Sequence, residues 1–400
     1  MKILIAGAGI GGLTAALCLQ KAGHEVSLFE RALNFSETGA GIQCGANALC
    51  VLDYLGLLDQ LEPLAVAPER VDFRDCKTGD VLYSSTWGSD YKQKFSYPYW
   101  HLHRADLLKE LVAALSCRVE LGASIVSYTE NEHQVSIELQ DGRSFDGDLL
   151  IGADGIKSVI RKQLLSESKE GAIKPRFTGN VAWRGVVNRG DLPNDFMPTI
   201  ASNFMGEGKH MVVYYLRDKQ LVNFVAVVES KAIDQEQVDA LDESWTQQAP
   251  WQDLKADFEG WHPTVQTIID AMRDQPCFKW ALHDHPPLKN WSSSRVTLLG
   301  DAAHATLPFM ASGAAMAIED ARVLQRSLEK FEQLSDALQC YQRNRITRTS
   351  KVQTDSVKFG RIYHIQNSLA RKVAFKALKH VAKRKEYFLP SYDANKVDLV

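Results

Sequence analysis

Near the start of this 400-residue chain, Gly7-Ala-Gly9-Ile-Gly-Gly12 has the spacing of a phosphate-holding turn. In such a turn Gly7 permits the bend, Gly9 lets a pyrophosphate approach the backbone, and Gly12 lets the next helix pack close to the strand. The helix N-terminus then offers free N–H groups and a partial positive charge to the phosphates. Glu30, with Arg31 beside it, ends the second strand and is placed to accept from ribose hydroxyls. Two later segments carry acids at strand ends: DLLIGADGIKSVIR (148–161) holds Asp154, and LLGDAAHATLPFMASGAAMAIEDA (298–321) holds Asp301. The second runs on to Gly313 and Ala314 in a helix start packed with small residues. In HMVVYYLR, period-two geometry puts His210, Val212, Tyr214 and Leu216 on one strand face. An imidazole titrates near neutral pH and suits a general base, and Tyr214 can hold a hydroxyl or carboxylate. Four residues of strand separate the two by about 13 Å. Arg184 and Arg217 offer bidentate forks to a carboxylate, and suit surface ion pairs equally well.

These groups need elements to hold them. KILIA, LTAALCLQKAG and EVSLFE read as strand, helix and strand, a βαβ opening that predicts a parallel sheet. A helix is expected over Ala46 to Leu61, strands over 70–84, an amphipathic helix over 103–115, and three or four strands from Val119 to Ile151. VAWRGVV, HMVVYYLR and LVNFVAVVE alternate at period two, which predicts a sheet with one covered face. Helices are expected around 250–258 and 264–273, a strand at 295–300, a helix from Ala314, and long helices from Ser335 to Lys385. The fold class is α/β: a Rossmann-like domain (1–70, 101–175 and 283–333) interleaved with a β-rich α+β domain (71–100 and 176–282), then a helical C-terminal region (334–400).

Composition excludes several classes. Hydrophobic residues at 45% and charged residues at 24% fit an ordinary globular chain, not a disordered or fibrous one. A net charge of −3 makes no electrostatic case for nucleic acid. The 7 Cys include no CxxC pair, so reduced thiols in a cytoplasmic protein fit better than disulfides or a metal site. Ile3 to Leu19 resembles a signal-peptide core, but glycines interrupt it and no small-residue cleavage site follows. The chain therefore reads as soluble. From Arg343 to Lys385 the basic residues face a single acid, Asp355. Ala370, Val373, Ala374, Ala377, Leu378 and Val381 form an apolar stripe there, expected to pack on the body. Attachment to an anionic membrane surface and a homodimer interface are the other uses of such a helix.

The opening fingerprint, GAGIQCGANAL (39–49), HRADL (103–107), the Asp154 segment and the Asp301 segment together resemble the class A flavoprotein aromatic hydroxylases. The resemblance spans nearly the whole chain and implies tightly bound, non-covalent FAD, with NADH or NADPH as a transient donor and O2 as co-substrate. It assigns Asp301 to the ribityl hydroxyls, Gly313 and Ala314 to the N1–C2=O edge of the flavin, and Arg104 to the pyrophosphate. It places Asp154 in the segment that serves both FAD and the nicotinamide cofactor. Salicylate hydroxylase and the hydroxylases of 3-hydroxybenzoate and 6-hydroxynicotinate are nearest in GEGKHMVVYYLRDKQLVNFVAVVE (206–229) and GRIYHIQ (360–366). That implies a small aromatic carboxylate as substrate, His210 as base on its phenol, Tyr214 as partner, and a C4a-hydroperoxide as oxygen donor. Gln43 is a weaker candidate for a flavin or substrate contact. Ala311-Ser312-Gly313 stands where relatives commonly have Ala-Gln-Gly. Hydroxylation of a polyprenyl-phenol and a non-catalytic flavin-binding protein are the alternatives.

Overall fold

The computed structural model describes residues 1–35, 40–166, 175–230, 248–386 and 388–400, excepting the side chains of 378–386. The glycine turn links β1 (Lys2–Ala6) to α1 (Ile10–Lys21), and β2 (Glu25–Glu30) completes the βαβ unit. Gly7 has φ +96, and a Cβ on it would lie 2.4 Å from the Ala153 carbonyl oxygen, so both the bend and the contact demand glycine. Next come β3 (Gly41–Cys44), α2 (Ala46–Tyr54), α3 (Leu58–Leu61), β4 (Arg70–Asp75), β5 (Val81–Thr86), α4 (Ser89–Phe95), β6 (Trp100–His103) and α5 (Arg104–Ala113). The expected single helix over Ala46 to Leu61 is thus two. Gly56, at φ +76, ends α2 in a Schellman cap: its N–H donates to Asp53 O and the Leu57 N–H to Leu52 O.

Between 119 and 152 the chain forms five strands rather than three or four: β7 (Val119–Leu121), β8 (Ile125–Glu130), β9 (Val135–Leu139), β10 (Ser144–Gly147) and β11 (Leu149–Gly152). After α6 (Val159–Ser166) come β12 (Arg176–Asn188), β13 (Ala201–Gly206), β14 (Lys209–Leu216), β15 (Leu221–Glu229), α7 (Trp251–Asp257), α8 (Pro263–Asp270) and β16 (Phe278–Asp284). The chain closes through β17 (Val296–Leu298), α9 (Asp301–His304), α10 (Gly313–Lys330), α11 (Leu334–Tyr363) and α12 (Ser368–Glu386).

One sheet, ordered β17-β11-β1-β2-β7, is parallel throughout. Strands β17, β11 and β1 are buried on both faces, and α1 is buried along most of its length because α10 covers it from outside. The second sheet, β16-β12-β15-β14-β13-β4-β5, is antiparallel except at β4–β13. Trp183, Phe204, Met211 and Phe224 leave one face and pack with Leu254, Phe258, Val265 and Ile268 around α7 and α8. The other face was expected to be open, yet Ala182, Met205, Val227 and Trp280 pack there on Leu307, Phe309, Tyr363 and Phe375. The described residues leave its centre uncovered, where Val212 and Val225 are half-exposed.

The C-terminal helix departs from the expected stripe. Among the described side chains of α12 the buried ones are Arg371 and Phe375, while Val373 is 60% exposed. Arg371 pairs with Asp75 at 3.3 Å and donates to Ile365 O at 2.8 Å, so an ion pair rather than an aliphatic stripe seats the helix. Leu378 and Val381 lie outside the residues whose side chains are described.

A buried ionic cluster joins the layers. On α10, Glu319 accepts from Arg345 at 2.7 Å, from Arg348 through both oxygens at 2.7 Å, and from Asn47 of α2 at 2.6 Å. Asp320 accepts from Arg345 Nε at 2.6 Å, from the Gly300 N–H at 3.0 Å, and lies 2.6 Å from His304 Nε2. Burial pushes both carboxyl pKa values up, but the neighbouring cations win, and Asp320 ends lowered to about 2. Replacing Glu319 with Ala leaves Arg348 in the core without its carboxylate and Arg345 with Asp320 alone; the expected loss is about 3–5 kcal/mol of unfolding free energy, read from urea denaturation.

Candidate active site

The loop after β1 and the end of β2 meet at one point. Glu30 accepts from the Ala8 N–H through one oxygen and the Ala32 N–H through the other, both at 2.9 Å. Its carboxylate is thereby fixed against the glycine turn, with exposed Arg31 next to it. A Cβ on Gly12 would lie 2.0 Å from Gly7 O, whereas a Cβ on Gly9 would meet nothing within 4 Å. Gly12 is required by the protein's own packing, and Gly9 keeps open the space a phosphate needs.

Asp301 begins α9, directly after Gly300 at φ +62. Its side chain is solvent-accessible, yet enough protein surrounds it that desolvation raises its pKa against the pull of His304, Arg104 and Arg161. That combination marks the wall of a concave site. A Cβ on Gly313 would stand 3.9 Å from Asp301 Oδ1, so the acid and the first turn of α10 border the same space. The Gly313 and Ala314 N–H groups there have no intrahelical acceptor. Arg104 opens α5, its own N–H donating to Ala40 O at 2.8 Å. Ser312 spends its hydroxyl on Met310 O at 2.7 Å, two residues back.

Asp154 has an internal use. It caps α6, accepting from Ser158 Oγ at 2.5 Å, Val159 N at 2.7 Å and Ile160 N at 3.3 Å. Arg161, on the helix so started, donates to Ala302 O at 3.0 Å and ties this segment to the Asp301 loop. Arg217 is placed elsewhere altogether. At φ +48 in the β14–β15 turn, it forms a two-pronged bond to Asp106 of α5 at 2.7 and 2.8 Å. The turn aims it back at the helix, which removes it as a carboxylate partner.

The open centre of the second sheet faces this region. Across the strands one row reads Phe73, Asn203, Val212, Val225, Arg184, Phe278, in register. His210 and Tyr214 stand on the same face, one row to either side, so they flank the gap without touching. His210 is enclosed by Phe309 at 5.4 Å, Tyr363 at 5.4 Å and His364, whose Nε2 is 2.8 Å from its Nδ1. Burial holds the His210 pKa well below 6.5, and His364 adds to the effect. At the other end Tyr214 packs on His101, centroids 4.3 Å apart, and against Gly41, where a Cβ would lie 2.4 Å from its hydroxyl. Gln43 stands beside them and accepts from Tyr99 Oη at 2.8 Å. Arg184 is buried over Trp280, 5.2 Å from its centroid, with Phe278 at 5.8 Å.

Several polar groups here were not singled out by sequence. Asn203 Oδ1, Asn223 Nδ2 and both ring nitrogens of His101 are buried with no hydrogen-bond partner among the described residues. Unmet polar atoms around a gap are what a polar ligand would satisfy. His364 lay within a segment carrying the resemblance, GRIYHIQ, but only the fold brings it 154 positions back to His210.

The donor set fits FAD. An open glycine turn with an anchored ribose acid, a surrounded but accessible aspartate, and a helix N-terminus beside it supply the contacts a dinucleotide flavin needs. Residues 1–356 match the FAD binding domain family, and the chain belongs to it; within that family it is a class A flavoprotein aromatic hydroxylase, an FAD-dependent monooxygenase. It is 35% identical to 3-hydroxybenzoate 6-hydroxylase of Polaromonas naphthalenivorans, across 92% of this chain and 89% of that protein. Identity to 6-hydroxynicotinate 3-monooxygenase of Bordetella bronchiseptica is 34%, across 88% and 89%. Among solved structures, Klebsiella pneumoniae HpxO with FAD and uric acid superposes with TM-score 0.84 at 26% identity, covering 98% and 97%. A salicylate hydroxylase substrate complex gives 0.82 at 26% identity, covering 98% and 96%.

Two measurements check this geometry. Gly9→Ala should leave apoprotein unfolding within about 0.5 kcal/mol of wild type yet weaken FAD retention at least roughly tenfold, whereas Gly12→Ala should lose the fold as well. Flavin fluorescence on release and thermal unfolding separate the two. The second concerns acid. Burial lowers His101 to about 3, so the unfolded chain takes a proton below the ordinary 6.5 that the folded chain refuses. Its contribution to stability is intact above pH 6.5 and falls by about 1.4 kcal/mol per pH unit down to the folded value. Urea midpoints from pH 7.5 to 5 should drop, and less steeply in His101→Asn.

Proposed function

We propose that this enzyme hydroxylates a small phenolic carboxylate, a ring of the salicylate, hydroxybenzoate or hydroxynicotinate kind, using NADH or NADPH and O2. The observation that carries the reading is the uncovered centre of the second sheet. Val212 and Val225 are half-exposed there, in one row with the buried Arg184, with His210 and Tyr214 on either side along the strand. Two valines give a flat apolar floor for a ring, and the polar groups stand only at its edges. FAD, when bound, supplies the electrons that activate O2.

The chain's own side chains do the rest. His210 is neutral across the neutral pH range because burial disfavours its charged form. It is therefore ready to take the phenol proton, and a phenolate ring is richer in electrons at the carbon to be attacked. Arg184 suits the carboxylate: it is 2% exposed and carries a charge-assisted fork. Tyr214 is held protonated by burial, so it donates a hydrogen bond rather than accepting a proton. Phe309 and Tyr363 close the His210 end against water. Where the carboxylate is ortho to the phenol, attack at its own carbon releases CO2.

A screen of hydroxybenzoates, salicylate and hydroxynicotinates tests this by following NAD(P)H oxidation together with product mass and CO2. One ring of this class should stimulate oxidation and appear as product with one added oxygen. In His210→Ala, product formation should fall by roughly 10²–10⁴ while flavin content holds and NAD(P)H oxidation continues uncoupled. Arg184→Met should raise KM for the acid roughly tenfold or more, and leave KM for the matching amide unchanged. No stimulation by any ring of the class, or equal turnover of acid and amide in wild type, would overturn the assignment.

A further inference from the structure

A base enclosed in protein cannot keep the proton it takes. An imidazolium at His210 would sit in the apolar interior of a sheet face, where an unpaired charge is costly. The neighbours of His210 on its own face, Met205 and Val227, are apolar, and Phe309 covers its ring. Beyond Met205 in the same row, Asp75 is occupied by Arg371. The titratable groups that face His210 come from the end of α11. They are Tyr363, whose hydroxyl donates to Phe309 O at 3.4 Å and which burial keeps protonated, and His364.

His364 makes two contacts in line. Its Nε2 is 2.8 Å from His210 Nδ1, and its Nδ1 is 3.0 Å from Glu229 Oε1. The His364 side chain is 2% exposed, whereas that of Glu229 is 33% exposed. The three groups therefore form a path from the floor of the gap to solvent. The fold holds it from both sides. Gly360 lets the end of α11 press on Phe309, where a Cβ would lie 2.6 Å from the ring, and this lays His364 against His210. Glu229 ends β15, its N–H donating to Gly208 O at 2.8 Å in the turn that precedes His210.

Resting on the reading of His210 as base, we propose that His364 and Glu229 are positioning residues that relay the substrate proton to solvent. The phenol O–H bond breaks and its proton bonds to His210 Nε2. The proton on His210 Nδ1 passes to His364 Nε2, and the proton on His364 Nδ1 passes to the Glu229 carboxylate. The phenol keeps its electron pair as phenolate, both histidines end neutral with their tautomers exchanged, and Glu229 returns its proton to water. No imidazolium persists in the interior, which resolves the conflict between a low pKa at His210 and its use as a base.

The test uses holoenzyme with bound 3-hydroxybenzoate and, separately, salicylate, following phenolate absorbance after a pH jump beside kcat and KM. His364→Gln can still accept from His210 Nδ1 but cannot pass a proton on, and Glu229→Gln leaves a half-exposed site that tolerates change. Both should slow phenolate formation roughly tenfold or more and lower kcat, with KM and flavin content within about twofold and Glu229→Asp restoring most of the rate. Wild-type phenolate kinetics in His364→Gln or in Glu229→Gln would overturn the relay. Should His210→Ala abolish phenolate formation while those two do not, only the relay fails. Unchanged phenolate formation in His210→Ala would remove the base assignment beneath it.

Discussion

Two adjacent acids on one helix, Glu319 and Asp320, decide where the loop carrying Asp301 sits. Both are fully buried, and each is held by groups from other parts of the chain: Arg345 and Arg348 from α11, Asn47 from α2, the Gly300 amide just before Asp301 and His304 at the end of α9. A buried ion cluster is a poor source of net stability, because desolvation cancels much of the Coulomb gain. Its value is directional. A carboxylate that would be stranded in any other register admits one arrangement of helix and loop. Asp301 and the N-terminus of α10 consequently border the same space, and the C-terminal stretch is drawn in as well, with Arg348 donating to the carbonyls of Phe388 and Leu389.

The site has two halves built on different physics. The nucleotide half is made of backbone amides and anchored carboxylates on loops at the ends of parallel strands, where helix N-termini gather positive charge. The other half, proposed to take the ring, is a sheet face whose central row is left bare by the described residues while its flanks are packed. Helices α7 and α8 take the opposite face, so the bare row can serve binding without exposing the core. Polar atoms with no hydrogen-bond partner among the described residues cluster along this half, at Asn203 Oδ1, Asn223 Nδ2 and the His101 ring nitrogens.

Local features were readable wherever a residue's own backbone chemistry sets the outcome. The βαβ opening followed from glycine spacing, and the face shared by His210, Val212 and Tyr214 followed from strand periodicity. Gly56 carried a readable stop that the expected long helix ran through. Other features were hidden because they depend on what meets the residue from far away. Arg217 gave no sign of Asp106 as its partner, and the apolar stripe on α12 gave no sign that Arg371 rather than Val373 would face inward. By its position Asp154 reads as a cofactor-facing acid, and the fold gives its carboxylate an internal use as well, accepting from the first N–H groups of α6.

By itself the sequence determined the class of enzyme, the cofactor, and which side chains could hold charge or accept a proton, since these rest on residue type and short spacing. Tertiary structure decided which of those side chains meet. His364 reaches His210, and Asp301 reaches Gly313, only through packing of α11 and α10 against the sheets. The physical reason is that burial and long-range pairing set the protonation state and direction of a side chain, and neither is a property of its neighbours along the chain.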